Sequence, residues 1–111
     1  MALEAGSKAP LFSTLTQEGK AFELAARKGV GWTVLYFYPK AETPGCTAQA
    51  CAFRDAIEVI RKEGAEVYGI SGDSVKEIKD FHSNHKLTFT LLADPKADVI
   101  KLYNVKMLLL N

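Results

Sequence analysis

Trp32-Thr33-Val34-Leu35-Tyr36-Phe37-Tyr38-Pro39-Lys40-Ala41-Glu42-Thr43-Pro44-Gly45-Cys46 reads as a strand running through a short polar loop into a helix. Trp32 to Tyr38 is apolar on both faces and rich in β-formers, the pattern of a central strand, and Pro39 ends it. Thr43 suits an N-cap and Pro44 the first helical position. Gly64 closes a helix expected from Thr43 to about Glu63, along which Ala50, Phe53, Ile57 and Ile60 recur at helical spacing.

Outward from this stretch the same alternation continues. Residues 10–24 form two short β-segments around a Gly19-containing turn, an expected antiparallel hairpin. Residues 65–71 read as a second strand after the helix. Ser74-Val75-Lys76-Glu77 is a capping box opening a helix to about Lys86. Phe89 to Ala93 makes a third strand, Asp94-Pro95-Lys96 a turn, and Asp98 to Asn104 has room for a short helix. Strand, helix, strand, helix, strand implies right-handed crossovers, a mainly parallel sheet flanked by helices, and function at the carboxyl ends of the strands. Cys46 follows such an end.

The chain has 111 residues and is expected to be a single α/β domain, 1–111. A charged fraction of 24% and a net charge of +1 lack the basic excess of a phosphate-backbone binder, so no nucleic acid partner is expected. The N-terminus has no apolar signal-peptide core and no apolar run is long enough to span a membrane, which leaves the cytoplasm as the expected location. In a reducing compartment two cysteines point to catalysis, redox cycling or metal rather than a permanent bridge. A lone Cys-x4-Cys supplies only two ligands, and His82 and His85 read as a solvated helix surface, so no metal site is expected. The plainer reading of both cysteines is as small apolar core residues. The run Met107 to Leu110 ends without a partner, and a sheet covered on both faces would need more elements.

A thiol attacks as its thiolate, and an unperturbed one, with a pKa of about 8.5, is only a few per cent ionised at neutral pH. With Thr43 as N-cap, Cys46 is the third helical residue, among the free N–H groups of the first turn. That terminus offers an anion roughly 0.3–2 kcal/mol, so useful activation calls for a cation as well. Arg54 lies about 12 Å further along the helix and is too distant; Lys40 is the remaining candidate. Cys51 would sit roughly 8–9 Å from Cys46 between Cα atoms of an intact helix, beyond the ~7 Å limit for a disulfide. Pairing them requires the first turns to unwind, which Gly45, Thr47 and Gln49 make easier than alanines would.

These residues resemble the peroxiredoxins, most closely the peroxiredoxin Q or bacterioferritin comigratory protein group. The resemblance spans nearly the whole chain. It rests on Pro-x3-Thr-x2-Cys at Pro39, Thr43 and Cys46, on Thr-Pro-Gly-Cys at 43–46, on Cys51-Ala52-Phe53-Arg54-Asp55, and on Gly69-Ile70-Ser71-Gly72-Asp73. It implies a thioredoxin-like fold and cofactor-independent reduction of hydrogen peroxide or organic hydroperoxides. Cys46 would be the peroxidatic nucleophile. Thr43 Oγ1 and the Cys46 N–H would hold the peroxide oxygens, Pro39 would shield the sulfenic acid, and Cys51 would resolve it to an intramolecular disulfide reduced by thioredoxin or a similar dithiol. A monomer or weak homodimer is expected. The group also uses an arginine from a strand beyond residue 111, so the chain reads as truncated at its C-terminus, with the last strands and helix of the fold missing. The alternative from another class is a non-catalytic redox-sensing or interaction module in which oxidation opens the helix. A disulfide reductase is disfavoured because the spacing is not Cys-x2-Cys.

Overall fold

The computed structural model describes residues 4–105. The apolar run from Met107 lies outside the described residues. The hairpin forms as expected: β1 (Ser13–Thr16) pairs antiparallel with β2 (Ala21–Glu23), Thr14 opposite Phe22. A 3₁₀ turn at Leu24–Arg27 leads to β3 (Trp32–Phe37), then α1 (Pro44–Lys62), β4 (Ala65–Ser71), α2 (Val75–Asn84), β5 (Thr90–Ala93) and α3 (Asp98–Leu102). The strands form one sheet in the order β2-β1-β5-β4-β3, with β3, β4 and β5 parallel and the hairpin joined antiparallel through β1 and β5.

Two apolar layers hold the sheet. On one face α1 and α2 bury Ala50, Ile57, Ile78 and Phe81 against Val67, Leu91 and Tyr38, with Phe53 and Ile60 packed alongside. On the other, Ile70, Leu92 and Tyr68 meet Phe22 and Val99, with Leu35, Phe37 and Tyr103 at the margin. Tyr103 ties the chain ends together by donating its hydroxyl to the Pro10 carbonyl at 2.7 Å. The periodic apolar positions of α1 therefore all point at the sheet, as their spacing requires.

Local signals place the boundaries. Ser74 and Glu77 exchange both bonds of the capping box, at 3.2 and 2.9 Å. The Asp94 carboxylate accepts from the Val99 and Ile100 N–H groups at 3.1 and 2.9 Å, so the residue read only as a turn former also caps α3.

One expectation is corrected. Trp32 to Tyr38 was expected to be a central strand, yet among the described residues β3 ends the sheet, with β4 on one side and no strand on the other. Trp32 is 76% exposed and Val34 is also exposed. Apolarity on both faces reports what packs above and below a strand; it carries no information about its edges.

Gly69 shows how tight the helix-covered face is. It lies opposite Tyr36 in the β3/β4 register, and the Tyr36 ring crosses it to stack on Phe53 with centroids 4.6 Å apart. A Cβ at Gly69 would fall 2.8 Å from the Tyr36 ring tip and hydroxyl. Gly69→Ala is expected to displace Tyr36 and cost about 1–3 kcal/mol, measurable by urea unfolding with a matching change in near-ultraviolet circular dichroism; an unchanged midpoint would contradict this packing.

Candidate active site

The site lies at the carboxyl ends of β3 and β4. The chain leaves β3 at Phe37, passes Tyr38 and the half-buried Pro39, and enters α1 after Thr43, which holds the N-cap position. Cys46 is the third residue of α1. The first intrahelical bond runs from the Thr47 N–H to the Thr43 carbonyl at 2.8 Å. The Gly45 and Cys46 N–H groups precede that ladder, among the donors that a helix start leaves without intrahelical partners.

Thr43 occupies the cap position without capping through its side chain. Its hydroxyl donates to the Lys40 carbonyl at 2.8 Å, which closes the loop on itself and leaves the oxygen's lone pairs available. Cys46 is 8% exposed and belongs to the apolar cluster with Tyr38, Ala41 and Ala50. Cys51 is half-buried further along α1, and both cysteines are free thiols.

Lys40, the cation candidate, is exposed and borders a hollow of about 350 Å³ with Glu42, Glu77, Asp80 and Asn84. Arg54 pairs with Asp55 at 2.9 Å, and the cysteine it acts on is Cys51. Tyr38 shares the buried cluster of Cys46, and Tyr36 packs against it. Burial above all pushes both phenols well above their ordinary range, at Tyr38 against the opposing effect of Ser71, so they stay neutral. Neither buried hydroxyl has a hydrogen-bond partner. The Ser71 hydroxyl beside Tyr38 is spent on Asp73 instead, at 2.7 Å.

Asp73 was not singled out in the sequence as a site residue. Buried after the end of β4, its Oδ2 accepts from the Ala41 N–H at 2.8 Å and from the Ser71 hydroxyl, which fixes the loop after β3 against the neighbouring strand. A carboxylate just past a parallel strand's carboxyl end is the signal that would have found it.

Glu42 clamps the loop from the other side. Its backbone is left-handed at φ +68°, which costs a non-glycine residue about 1–2 kcal/mol. Its Oε2 accepts from Asn84 Nδ2 at 2.8 Å, and its Oε1 lies 2.7 Å from His85 Nε2. The two histidines are thus not the solvated surface their spacing suggested. His82 Nε2 lies 3.0 Å from the Phe89 carbonyl, and both rings are half-buried. Helix α2 ends at Asn84, so His85 turns its ring toward a loop 43 positions earlier in sequence, a contact that helical spacing cannot reveal. Among the described residues no three His, Cys, Asp or Glu side chains gather as metal ligands, and no helix is long and apolar enough to cross a membrane.

A mixed sheet with a parallel β3-β4-β5 core, and a buried thiol on the first turn of the helix that follows β3, define a thioredoxin-like α/β domain with a thiol site. The chain belongs to the AhpC/TSA family, whose profile matches residues 5–109. It is 52% identical over 100 residues to the chloroplastic peroxiredoxin Q of Oryza sativa subsp. japonica, covering 90% of this chain and 46% of that protein. The Sedum lineare chloroplastic peroxiredoxin Q is likewise 52% identical, with 90% and 53% covered. The chain thus spans about half the length of these curated relatives. Among solved structures it superimposes on the peroxidoxin BcpB of Mycobacterium tuberculosis with a TM-score of 0.88 at 35% identity, over 95% of this chain and 68% of that one. A Xanthomonas campestris bacterioferritin comigratory protein, studied for its alkyl peroxide reduction activity, gives 0.81 at 31% identity, over 85% and 59%. The thioredoxin-like expectation and the peroxiredoxin Q resemblance both hold.

Hydrogen bonds from Asn84 and then His85 hold the Glu42 carboxyl below its ordinary range. A lowered folded value means that this clamp contributes fully above the ordinary glutamate pKa, about 4.3, and is lost as pH falls through the lowered one. The exposed setting keeps that contribution small. Asp73→Ala, which strips the Ala41 N–H of its acceptor, is expected to cost about 1–3 kcal/mol by urea unfolding and to speed amide exchange at residues 40–43; unchanged exchange there would rule out Asp73 as the loop's anchor.

Proposed function

We propose that this chain carries the reactive site of a thiol-dependent peroxidase that reduces hydrogen peroxide and organic hydroperoxides, with Cys46 as nucleophile. The observation that carries this reading is the placement of Cys46: a sheltered thiol on the first turn of a helix of 19 residues, beside free N–H donors, next to a loop locked by Asp73 and Glu42. Membership of the AhpC/TSA family and likeness to a protein studied for alkyl peroxide reduction support the same class.

In this mechanism the Cys46 thiolate attacks one peroxide oxygen while the O–O bond breaks. The departing alkoxide or hydroxide takes a proton and leaves as alcohol or water, and Cys46 becomes a sulfenic acid. Thr43 Oγ1 accepts a hydrogen bond from the peroxide, and the Cys46 N–H donates to the oxygen on which charge grows. Pro39, half-buried at the loop start, limits water's access to the sulfenic acid. The Cys51 thiolate then attacks the sulfenic sulfur; an S–S bond forms, the S–O bond breaks and water leaves. The cycle consumes one hydroperoxide and two thiols, and a dithiol such as thioredoxin restores them. A reducing compartment, the cytoplasm in this reading, would keep that donor available. A monomer or weak homodimer suffices, since both cysteines lie on one helix.

One equivalent of hydrogen peroxide is expected to consume both thiols and lower the mass by about 2 Da, the signature of a disulfide. Cys51→Ser should stop at a sulfenic acid that dimedone traps on Cys46, and Cys46→Ser should show neither product. Thiol loss that persists at the wild-type rate in Cys46→Ser would overturn the assignment.

A further inference from the structure

We propose that His85 and Asn84 are positioning residues for Cys46, acting through Glu42: together they latch the loop before α1 and set how readily the first turns of that helix open. The inference deepens the reading above and rests on Cys46 and Cys51 as the reacting pair.

Cys46 and Cys51 are both free thiols on a continuous helix, too far apart there to bond, so the resolving step needs a local opening of α1. The turn after α2 limits that opening at two places. The His85 ring and the Asn84 amide occupy both carboxylate oxygens of Glu42, at 2.7 and 2.8 Å, four residues before Cys46. The carbonyl of the same His85 accepts from Arg54 Nη1 at 2.8 Å, three residues after Cys51, and the Thr88 hydroxyl donates to the Arg54 carbonyl at 3.2 Å. One residue therefore holds the chain on both sides of the segment that must move, its ring on the N-terminal side and its carbonyl on the C-terminal side.

Between these clamps the chain is held by the packing of Cys46, Ala50 and Phe53 and has little polar anchoring. Among the described residues, the side-chain hydrogen bond of the segment from Thr43 to Phe53 is that of Thr43 with Lys40. The α1 start also carries Gly45, which adds little to helix stability there. Glu42 is itself held at φ +68°, a conformation its side-chain bonds must sustain. Releasing the carboxylate lets that residue relax and the loop move with it. The Arg54 clamp stops the opening from spreading into the second half of α1, so the disulfide can form while Ile57 and Ile60 stay packed on the sheet.

The latch acts oppositely on the two chemical steps. It keeps Cys46 in the helix start that reacts with peroxide, and it holds back the opened form that bonds to Cys51. In stopped-flow oxidation, His85→Ala and Glu42→Ala are expected to form the disulfide about two- to fivefold faster, the range of an exposed ion pair, while the peroxide step is unchanged or slower. His85→Gln, which keeps a side-chain N–H donor, should stay close to wild type. Disulfide formation in His85→Ala no faster than wild type overturns the proposal. Amide exchange of the reduced proteins tests it without any chemistry: residues 45–52 should exchange faster in His85→Ala, with 57–62 and 90–93 unchanged. Uniform acceleration, or none, overturns the latch. Should peroxide leave the wild-type thiols intact, the peroxidase reading fails and the exchange result still decides the latch.

Discussion

The Asp73 carboxylate is the constraint on which the arrangement around Cys46 depends. Asp73 is buried, and a buried carboxylate must find donors. It finds them in the Ala41 N–H and the Ser71 hydroxyl, one on the loop leaving β3 and the other at the end of β4. Satisfying Asp73 therefore holds the loop over the sheet and sets where Thr43 begins the helix. The parallel register that pairs Phe37 with Ile70 brings the two strand ends level, which makes the bond possible. Sheet pairing, loop closure and helix start are parts of one geometric solution.

Around that anchor the thiol's setting is mostly apolar. Tyr38, Ala41 and Ala50 share the buried cluster of Cys46 with Tyr36 packed against it, and burial keeps both phenols neutral. Neutral phenols and free helix N–H groups can face a developing anion without the desolvation cost of bringing in another charge. The charged side chains stand further out. Glu42 and His85 hold the loop's rim, while Arg54 pairs with Asp55 and the His85 carbonyl. Aromatic packing confines the nucleophile, and ion pairs at the margin govern how the surrounding backbone can move.

Much of this was legible in residue order because the signals are local. Helix α1 begins after Thr43 with Pro44 at its first position, Ser74 and Glu77 form their capping box, and the apolar positions of α1 face the sheet. Such features depend on neighbours a few positions away, where propensity and spacing carry real information. The misjudged points depend on long-range pairing. The position of β3 at the end of the described sheet follows from which strands pair, and the engagement of His85 follows from a loop folding back onto the end of α2.

The sequence by itself determined the strand, loop and helix around Cys46, the family resemblance of that segment, and the need for the helix to open before Cys51 can be reached. Each follows from bonds and spacings within about a dozen residues. Only the tertiary structure decided what surrounds the thiol. It left Lys40 exposed at the edge of a hollow, paired Arg54 with Asp55 and the His85 carbonyl, packed Tyr36 and Tyr38 into the cluster that holds Cys46, and placed Asp73 and the His85 turn on either side of the loop. The Asp73 and His85 contacts join segments 32 and 43 positions apart, settled by how α1 and α2 pack on the sheet.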